Sequence, residues 1–257
     1  MTDILIADFV TGLLVFMRVT AIIVVAPVFS QANFPTLPKL ALGLTITYIL
    51  FFTLGDYRFD YNQGILMLGI SVFKEVITGL LIGFTFNFVF YGISFAGLLI
   101  GFDLGLAIAQ LFDPMTESTA NVIGEVIMVF ATLIFLLING HHFIISSLAY
   151  SFKVVPIGTY VVNEKVFILL TKYSAMIFLI AVKLAAPIMV SFFLIHIASG
   201  IISRVIPQMN VFFVLQPGKI VMGLLFLSLL TPIYVVVIRD LLTLFEKNII
   251  ELIKAMV

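Results

Sequence analysis

The chain has 257 residues, of which 63% are hydrophobic and 10% are charged, with a mean hydropathy of +1.29. Charged residues make up about a quarter of an ordinary soluble domain. This composition therefore excludes an ordinary soluble domain and indicates an integral membrane protein. Thirteen basic residues balance thirteen acidic ones, which gives no sign of a nucleic-acid partner. The absence of cysteine excludes disulfides, iron–sulfur clusters and thiolate metal sites.

The chain begins with two predicted helices. Residues 4–26 are long enough to cross a hydrocarbon core, which takes roughly 20 residues, although Arg18 lies inside them. The run is too long and its leader too acidic for a cleaved signal, so we expect a retained first helix. A proline-containing connector over 27–38 leads to an apolar run over 40–54, which is short for a full span. Residues 55–64 then predict a polar turn.

An apolar run over 65–101 follows, too long for one ordinary crossing. Lys74 and Glu75 interrupt it. Adjacent helical residues point about 100° apart, so these two cannot pair as i,i+4 neighbours do, and we expect at least one to pair elsewhere. Glycine pairs at 79/83, 97/101 and 101/105 have the small-xxx-small spacing that lets membrane helices approach closely.

A polar break over residues 102–121 interrupts the apolar runs. Its backbone groups would stay unpaired in hydrocarbon, so the break must lie outside the membrane, inside protein or along a wet cavity. This makes it the first place to look for function. Asp113 is interpreted either as the cap of a helix that begins at Pro114 or as an ion or proton site, and the two roles are compatible.

The segment after the break predicts a helix over 122–137 whose one charged residue is Glu125. Two histidines follow, at positions 141 and 142. We favour a capping role for them, with Gly140 as the helix stop, over a metal site, because they are adjacent and no nearby acidic residue completes a ligand set. Residues 151–165 predict a loop.

The last third begins with another long apolar run, residues 166–202. Lys172 and Lys183 within it are eleven residues apart, about three turns, and so share a face that is unlikely to meet lipid. A second break over 207–217 precedes a predicted span over 220–238.

The C-terminal residues 239–257 alternate apolar and charged positions in the amphipathic pattern of a helix at an interface or against a partner. Basic residues are spread almost evenly over the connectors, so the positive-inside rule assigns no orientation. The predicted fold is an all-α, polytopic membrane protein with broken and bent helices, about six hydrophobic segments and up to eight, in one membrane domain over 1–257.

The chemistry-bearing residues favour no enzyme, because none of the known catalytic motifs occurs, and we expect no cofactor and no metal. Charges of both signs instead interrupt several helices, with few partners nearby in sequence, so we expect other subunits to bury them. These charges are Arg18, Lys74, Glu75, Glu125, Lys172, Lys183 and, at the second break, Arg204. Two classes remain: a stand-alone ion- or proton-coupled carrier, with Asp113, Glu125 and Lys183 as coupling residues, or one subunit of a larger assembly.

The motifs at these breaks resemble those of the FliR family of flagellar biosynthetic proteins, whose virulence counterparts belong to injectisomes. The match covers essentially the whole chain in order and is strong as a set. The matching motifs are Arg18 with Pro27; Gly101 through Leu111-Phe-Asp-Pro114; Phe135-Leu-Leu-Ile-Asn-Gly-His-His142; Ser151 with Pro156-Ile-Gly158; Arg204 through Pro207-Gln-Met-Asn-Val-Phe212; and Pro217-Gly-Lys219.

The resemblance implies a subunit of the export gate in the bacterial inner membrane, at the flagellar basal body. Its expected partners are FliP and FliQ, with FlhB and FlhA, membrane lipid and unfolded export substrates. Residues 1–160 would be FliP-like, and residues 161–257 would form a FliQ-like helical hairpin. The flagellar branch is favoured over the virulence branch.

The resemblance also implies roles for the two breaks. Residues 102–121 would form a loop that plugs the pore, and the second break would be the hairpin tip facing the cytoplasm. The expected plug residues are Gly101, Asp103, Gly105, Leu111, Phe112, Asp113, Pro114 and Met115. The expected tip residues are Pro207, Gln208, Asn210, Pro217 and Lys219.

Overall fold

The computed structural model of the chain describes residues 2–30, 35–53, 59, 64–106, 122–208 and 211–257. These ranges contain seven helices and no strand, which confirms the all-α prediction. The helices are α1 (Thr2–Val25), α2 (Thr36–Thr53), α3 (Ile65–Asp103), α4 (Val122–Leu137), α5 (Gly140–Val154), α6 (Glu164–Val205) and α7 (Val211–Ala255). Among the described residues, five helices are long and apolar enough to cross a membrane, or six spans if the bent pair α4 and α5 counts as one.

Three predicted boundaries are wrong because helices continue where the sequence predicted breaks. Helix α3 runs to Asp103, past the predicted start of the first break, and α5 runs to Val154, through the first part of the predicted loop over 151–165. Helix α7 begins at Val211, so Pro217 lies inside it, and it continues without interruption to Ala255. Proline lacks only its own N–H, so α7 continues past Pro217 with one main-chain hydrogen bond fewer.

The fourth correction concerns the bend between α4 and α5. The expected stop, Gly140, instead opens α5, and the residue in the left-handed conformation is Asn139, with φ of 62°. Asparagine is among the few non-glycine residues that adopt this conformation readily. His141 and His142 lie in the first turn of α5 with ring centroids 4.2 Å apart.

The chain divides into two compact units, each assembled from separate stretches of sequence. Unit 1 comprises Met1–Phe88, Asn139–Tyr173 and Thr243–Val257, and unit 2 comprises Val89–Ile138 and Ser174–Leu242.

In unit 1, helix α3 packs against α1 through two glycines. A Cβ at Gly79 would lie 2.7 Å from the carbonyl oxygen of Arg18, and a Cβ at Gly83 would lie 3.0 Å from the carbonyl oxygen of Ile22. The predicted 79/83 pair is therefore a true close-approach site. One turn further along α3, the amide of Asn87 donates to the carbonyl of Val25 at the end of α1.

The ends of α6 and α7 are also joined in unit 1. Asn163 caps α6 by accepting the N–H of Val166 at 2.9 Å, while its Nδ2 donates to the carbonyl of Ala255 at 2.7 Å. The hydroxyl of Tyr173 lies 3.1 Å from the carbonyl oxygen of Asn248. As numbers rise along α6 they fall along α7, so the helices run antiparallel here.

Among the described glycines, the closest approach to the backbone of another helix lies in unit 2. A Cβ at Gly97 on α3 would lie only 2.2 Å from the Cα of Gly124 on α4. Gly101, the other half of the predicted 97/101 pair, has no atom of a described residue within 4 Å of such a Cβ. Gly105 lies beyond the end of α3, so the predicted 101/105 pair does not form a helix-packing site.

The Gly97 crossing predicts a sharp difference between two substitutions on the same helix. Gly97→Ala should destabilise the chain by about 1–3 kcal/mol, because the new methyl group meets backbone that cannot rotate away. Gly101→Ala is the matched control and should be neutral or stabilising by up to ~1 kcal/mol through helix propensity. Thermal unfolding followed by circular dichroism, in one detergent, measures both, and equal midpoints would contradict the crossing.

Candidate functional site

The most polar buried site in unit 1 is an ion pair between Arg18 on α1 and Glu75 on α3. Both side chains are 0% exposed. Arg18 Nε donates to Glu75 Oε2 at 2.6 Å, and Nη2 donates to Oε1 at 3.0 Å. This is the two-pronged geometry that makes an arginine–carboxylate pair both strong and directional. The prediction that one of Lys74 and Glu75 pairs elsewhere in the chain is confirmed.

The remaining nitrogen of the Arg18 guanidinium donates hydrogen bonds to carbonyl groups at the end of α5. Its Nη1 donates to the carbonyl of Val155 at 3.0 Å and to the carbonyl of Ser151 at 3.2 Å. The ring of Phe152 lies 4.2 Å from the guanidinium carbon, in cation–π contact. One arginine thus joins three helices, α1, α3 and α5.

The loop after α5 is bound by two neighbouring residues of α3. Glu75 Oε1 accepts the N–H of Gly158 at 2.8 Å, and Lys74 Nζ donates to the carbonyl of Gly158 at 3.2 Å. Gly158 has φ of 76°, a conformation that favours glycine. The same loop buries Tyr160, and this burial raises the pKa of its phenol above the ordinary value.

The contacts of this cluster stabilise the fold by compensating the buried charge of Arg18. A buried arginine is costly in a low-dielectric medium unless every donor finds an acceptor, and here carboxylate, carbonyl and ring contacts together compensate it. The expectation that Arg18 and Glu75 are buried by other subunits is therefore wrong, since each is buried by the other.

The other predicted charges are arranged differently. Glu125, Lys172, Lys183 and Arg204 are all exposed, and none of them has an ion pair or side-chain hydrogen bond in the part of the chain that the structure describes. The structure therefore separates one internally satisfied group of charges from a second group that faces outward.

The end of α3 leads into the predicted plug segment. Leu104 is fully buried against Gly223 of α7, and its carbonyl accepts the side-chain amide of Gln216 at 2.8 Å. Gly105 follows with φ of 75°, the left-handed conformation that commonly ends a helix. A Cβ there would lie 1.8 Å from Gln216 Nε2. The left-handed conformation favours glycine at this position, and any larger residue would also displace the Gln216 amide.

Three charged or titratable side chains meet near this end of α3. The Asp103 carboxylate lies within electrostatic range of His196 on α6 and Lys219 on α7. Asp103 and His196 also line a cavity of about 300 Å³ with Val190 and Phe193. Lys219, which the resemblance places at the hairpin tip, lies inside α7 and is only 3% exposed.

The rest of the predicted tip and plug divides between described and undescribed residues. Pro207 and Gln208 form an exposed turn after α6, whereas Pro217 lies in the second turn of α7. Asn210 lies outside the described residues. So do five predicted plug residues, which are Leu111, Phe112, Asp113, Pro114 and Met115.

Sequence reasoning did not assign roles to Asn163, Gln216 and Ser151. Asn163 carried a usable signal, because asparagine before an acidic first turn is a common N-cap pattern. Gln216 carried none, since its partner, the Leu104 carbonyl, is 112 residues away in sequence.

These features define a class: a polytopic helical membrane protein that satisfies part of its charge internally and presents the rest on its surface. A family model described as "Bacterial export proteins, family 1" matches residues 9–245. The chain belongs to this family, and within it to the FliR proteins.

Several curated relatives support this membership. The flagellar biosynthetic protein FliR of Bacillus subtilis (strain 168) is 31% identical over 236 residues, covering 90% of each chain. The FliR protein of Escherichia coli (strain K12) is 31% identical over 84% of this chain and 82% of its own. That of Pectobacterium carotovorum subsp. carotovorum is 32% identical over 85% and 83%. The chain is thus a multi-pass inner-membrane component of the flagellar protein export apparatus.

The buried ion pair predicts strong coupling between two positions. Arg18→Met should cost about 3–5 kcal/mol, because it leaves the Glu75 carboxylate buried without its partner. The double variant Arg18→Met, Glu75→Met should be less destabilised than the sum of the single variants by more than ~1 kcal/mol. The double-mutant cycle is measured from the denaturation midpoints, in one detergent, of the parent, the two single variants and the double variant.

Lys172→Met is the matched control for this cycle, because Lys172 is exposed and makes no ion pair or side-chain hydrogen bond with a described residue. Its midpoint should stay within ~0.5 kcal/mol of the parent. Strictly additive effects of the two core substitutions would refute the coupling.

Proposed function

We propose that this chain is a non-enzymatic subunit of the flagellar export gate, assembling with FliP and FliQ into the channel that passes unfolded flagellar proteins across the inner membrane. FlhB and FlhA would adjoin the gate, and other components would supply the energy. The proposal rests on membership of the FliR family and on the distribution of charge in the structure.

The observation that carries the proposal is the exposure of charged side chains on apolar helices. Lys183 lies near the middle of α6 and Glu125 in the first turn of α4, and neither has a partner among the described residues. A charge facing hydrocarbon at a helix centre costs about 2.5–3.5 kcal/mol on insertion scales. Contact with further subunits removes this cost.

Helices α6 and α7 are much longer than a single membrane crossing needs. At ~1.5 Å per residue, the 42 residues of α6 extend about 63 Å and the 45 residues of α7 about 68 Å, roughly twice the ~30 Å hydrocarbon core. The two helices are joined by only five residues, 206–210. This arrangement suits the FliQ-like hairpin over 161–257 that we propose.

Exposed apolar surface supports an assembly as well. Only 11% of the most apolar window of α7 is buried within the chain. Lipid or neighbouring subunits must cover this surface. Because these helices also carry exposed charges, coverage by other subunits is more favourable than coverage by lipid tails.

Native mass spectrometry of the tagged chain from its own cells tests the proposal. The expected particle holds one copy of this chain with several copies of two smaller membrane proteins, FliP and FliQ. A monomer or homodimer that transports a substrate in liposomes would overturn the gate and favour a carrier.

We also propose that residues 102–121 act as the pore plug, with apolar side chains that exclude water and ions. Deleting residues 107–115 should leave assembly intact, because the Leu104 and Gln216 contact precedes the deletion, but should raise ion conductance of membranes that contain the gate. The measurement is dissipation of an imposed ion gradient in vesicles. Gly200→Ala, on α6 outside the plug, is the control and should stay closed, because a Cβ there meets no described atom within 4 Å. An unchanged leak in the deletion variant would count against the plug.

A further inference from the structure

Lys183 is isolated within a long apolar stretch of α6. Between Lys172 and Arg204 it is the only lysine, arginine, aspartate or glutamate. It lies eleven residues from Lys172 and 21 from Arg204, about 16 Å and 31 Å along the axis. The stem of a lysine is much shorter than either distance, so snorkelling toward these polar flanks does not bring the ammonium to their level.

The side chains around Lys183 form one exposed strip in unit 2, which we call the Lys183 face. Its members are spaced by three or four residues and therefore lie on one side of the helix. They are Leu179, Lys183, Pro187, Val190 and Leu194. Leu179 is 62% exposed, Val190 62% and Leu194 63%. This face is apolar except for a single ammonium.

The backbone at the same place is also polar. Pro187 has no N–H, so it cannot donate the helical hydrogen bond to the carbonyl of Lys183, four residues earlier. The ammonium of Lys183 has no ion pair or side-chain hydrogen bond among the described residues. One position on the helix therefore presents both an uncompensated charge and a carbonyl that lacks its usual donor.

We propose that the Lys183 face docks a membrane helix of another subunit that places an aspartate or glutamate against Lys183. This inference rests on the proposed function and specifies the chemistry of one partner. A carboxylate compensates the ammonium directly, whereas a purely apolar helix or lipid tails would leave it in hydrocarbon.

The test uses the full chain co-produced with FliP and FliQ. A photo-crosslinking residue at Val190 should form adducts with a helix of another subunit that carries an aspartate or glutamate. Lys183→Met and Lys183→Glu should each reduce recovery of the hetero-oligomer about tenfold or more, because one buried carboxylate is left unpaired. Lys183→Arg should retain it.

Reversing the partner charge completes the test. Changing the crosslinked carboxylate to lysine should restore the assembly of the Lys183→Glu chain. Lys172→Met, which removes an exposed lysine outside the apolar stretch, is the control and should assemble normally. The crosslink is measured on a chain that keeps Lys183, so it stands even if a charge variant fails to fold.

The outcomes separate this inference from the proposed function. If the parent chain assembles but Lys183→Met and Lys183→Glu assemble equally well, the Lys183 face is not the docking site. Adducts only with lipid, or only with a second copy of this chain, would also overturn it. If the parent chain forms no hetero-oligomer, the gate proposal fails and the docking proposal fails with it.

Discussion

The constraint on which the structure depends is the cost of charge in a medium of low dielectric constant. Arg18 and Glu75 meet this constraint inside the chain, where the guanidinium contacts a carboxylate, two carbonyls and an aromatic ring. Because the pair is fully buried, α1, α3 and α5 must approach in one register for every donor to find its acceptor. Satisfying one charge therefore orders three helices and the loop at Gly158.

The same constraint applies to the charged side chains that the chain does not pair internally. Lys183 and Glu125 belong to membrane-length segments or their neighbours, yet face outward without a partner in the described part of the chain. A protein that had to function alone in lipid would bring such groups together, as it does for Arg18 and Glu75. The division between internal and external charge is what a subunit of a larger membrane assembly requires.

Close packing at glycine complements these electrostatic contacts. Gly79 and Gly97 let α3 approach two different helices to near backbone contact, α1 in unit 1 and α4 in unit 2. Gly105 has another role, since its left-handed backbone ends α3 beneath the amide of Gln216. In the absence of a hydrophobic driving force between helices in lipid, such contacts and interhelical hydrogen bonds provide the specificity.

By itself, the sequence determined the class of protein and the existence of the helices, because hydropathy and helix length are local properties. Its motifs also identified the family, and it marked Arg18, Glu75 and Lys183 as unusual. Tertiary structure decided which charges pair, since Arg18 meets a carboxylate 57 residues away and a carbonyl 137 residues away. It also decided that helix α7 continues through Pro217. Gly97 contacts the backbone of another helix, whereas Gly101 leaves room for a Cβ among the described residues, because helix ends and close contacts depend on neighbours distant in sequence.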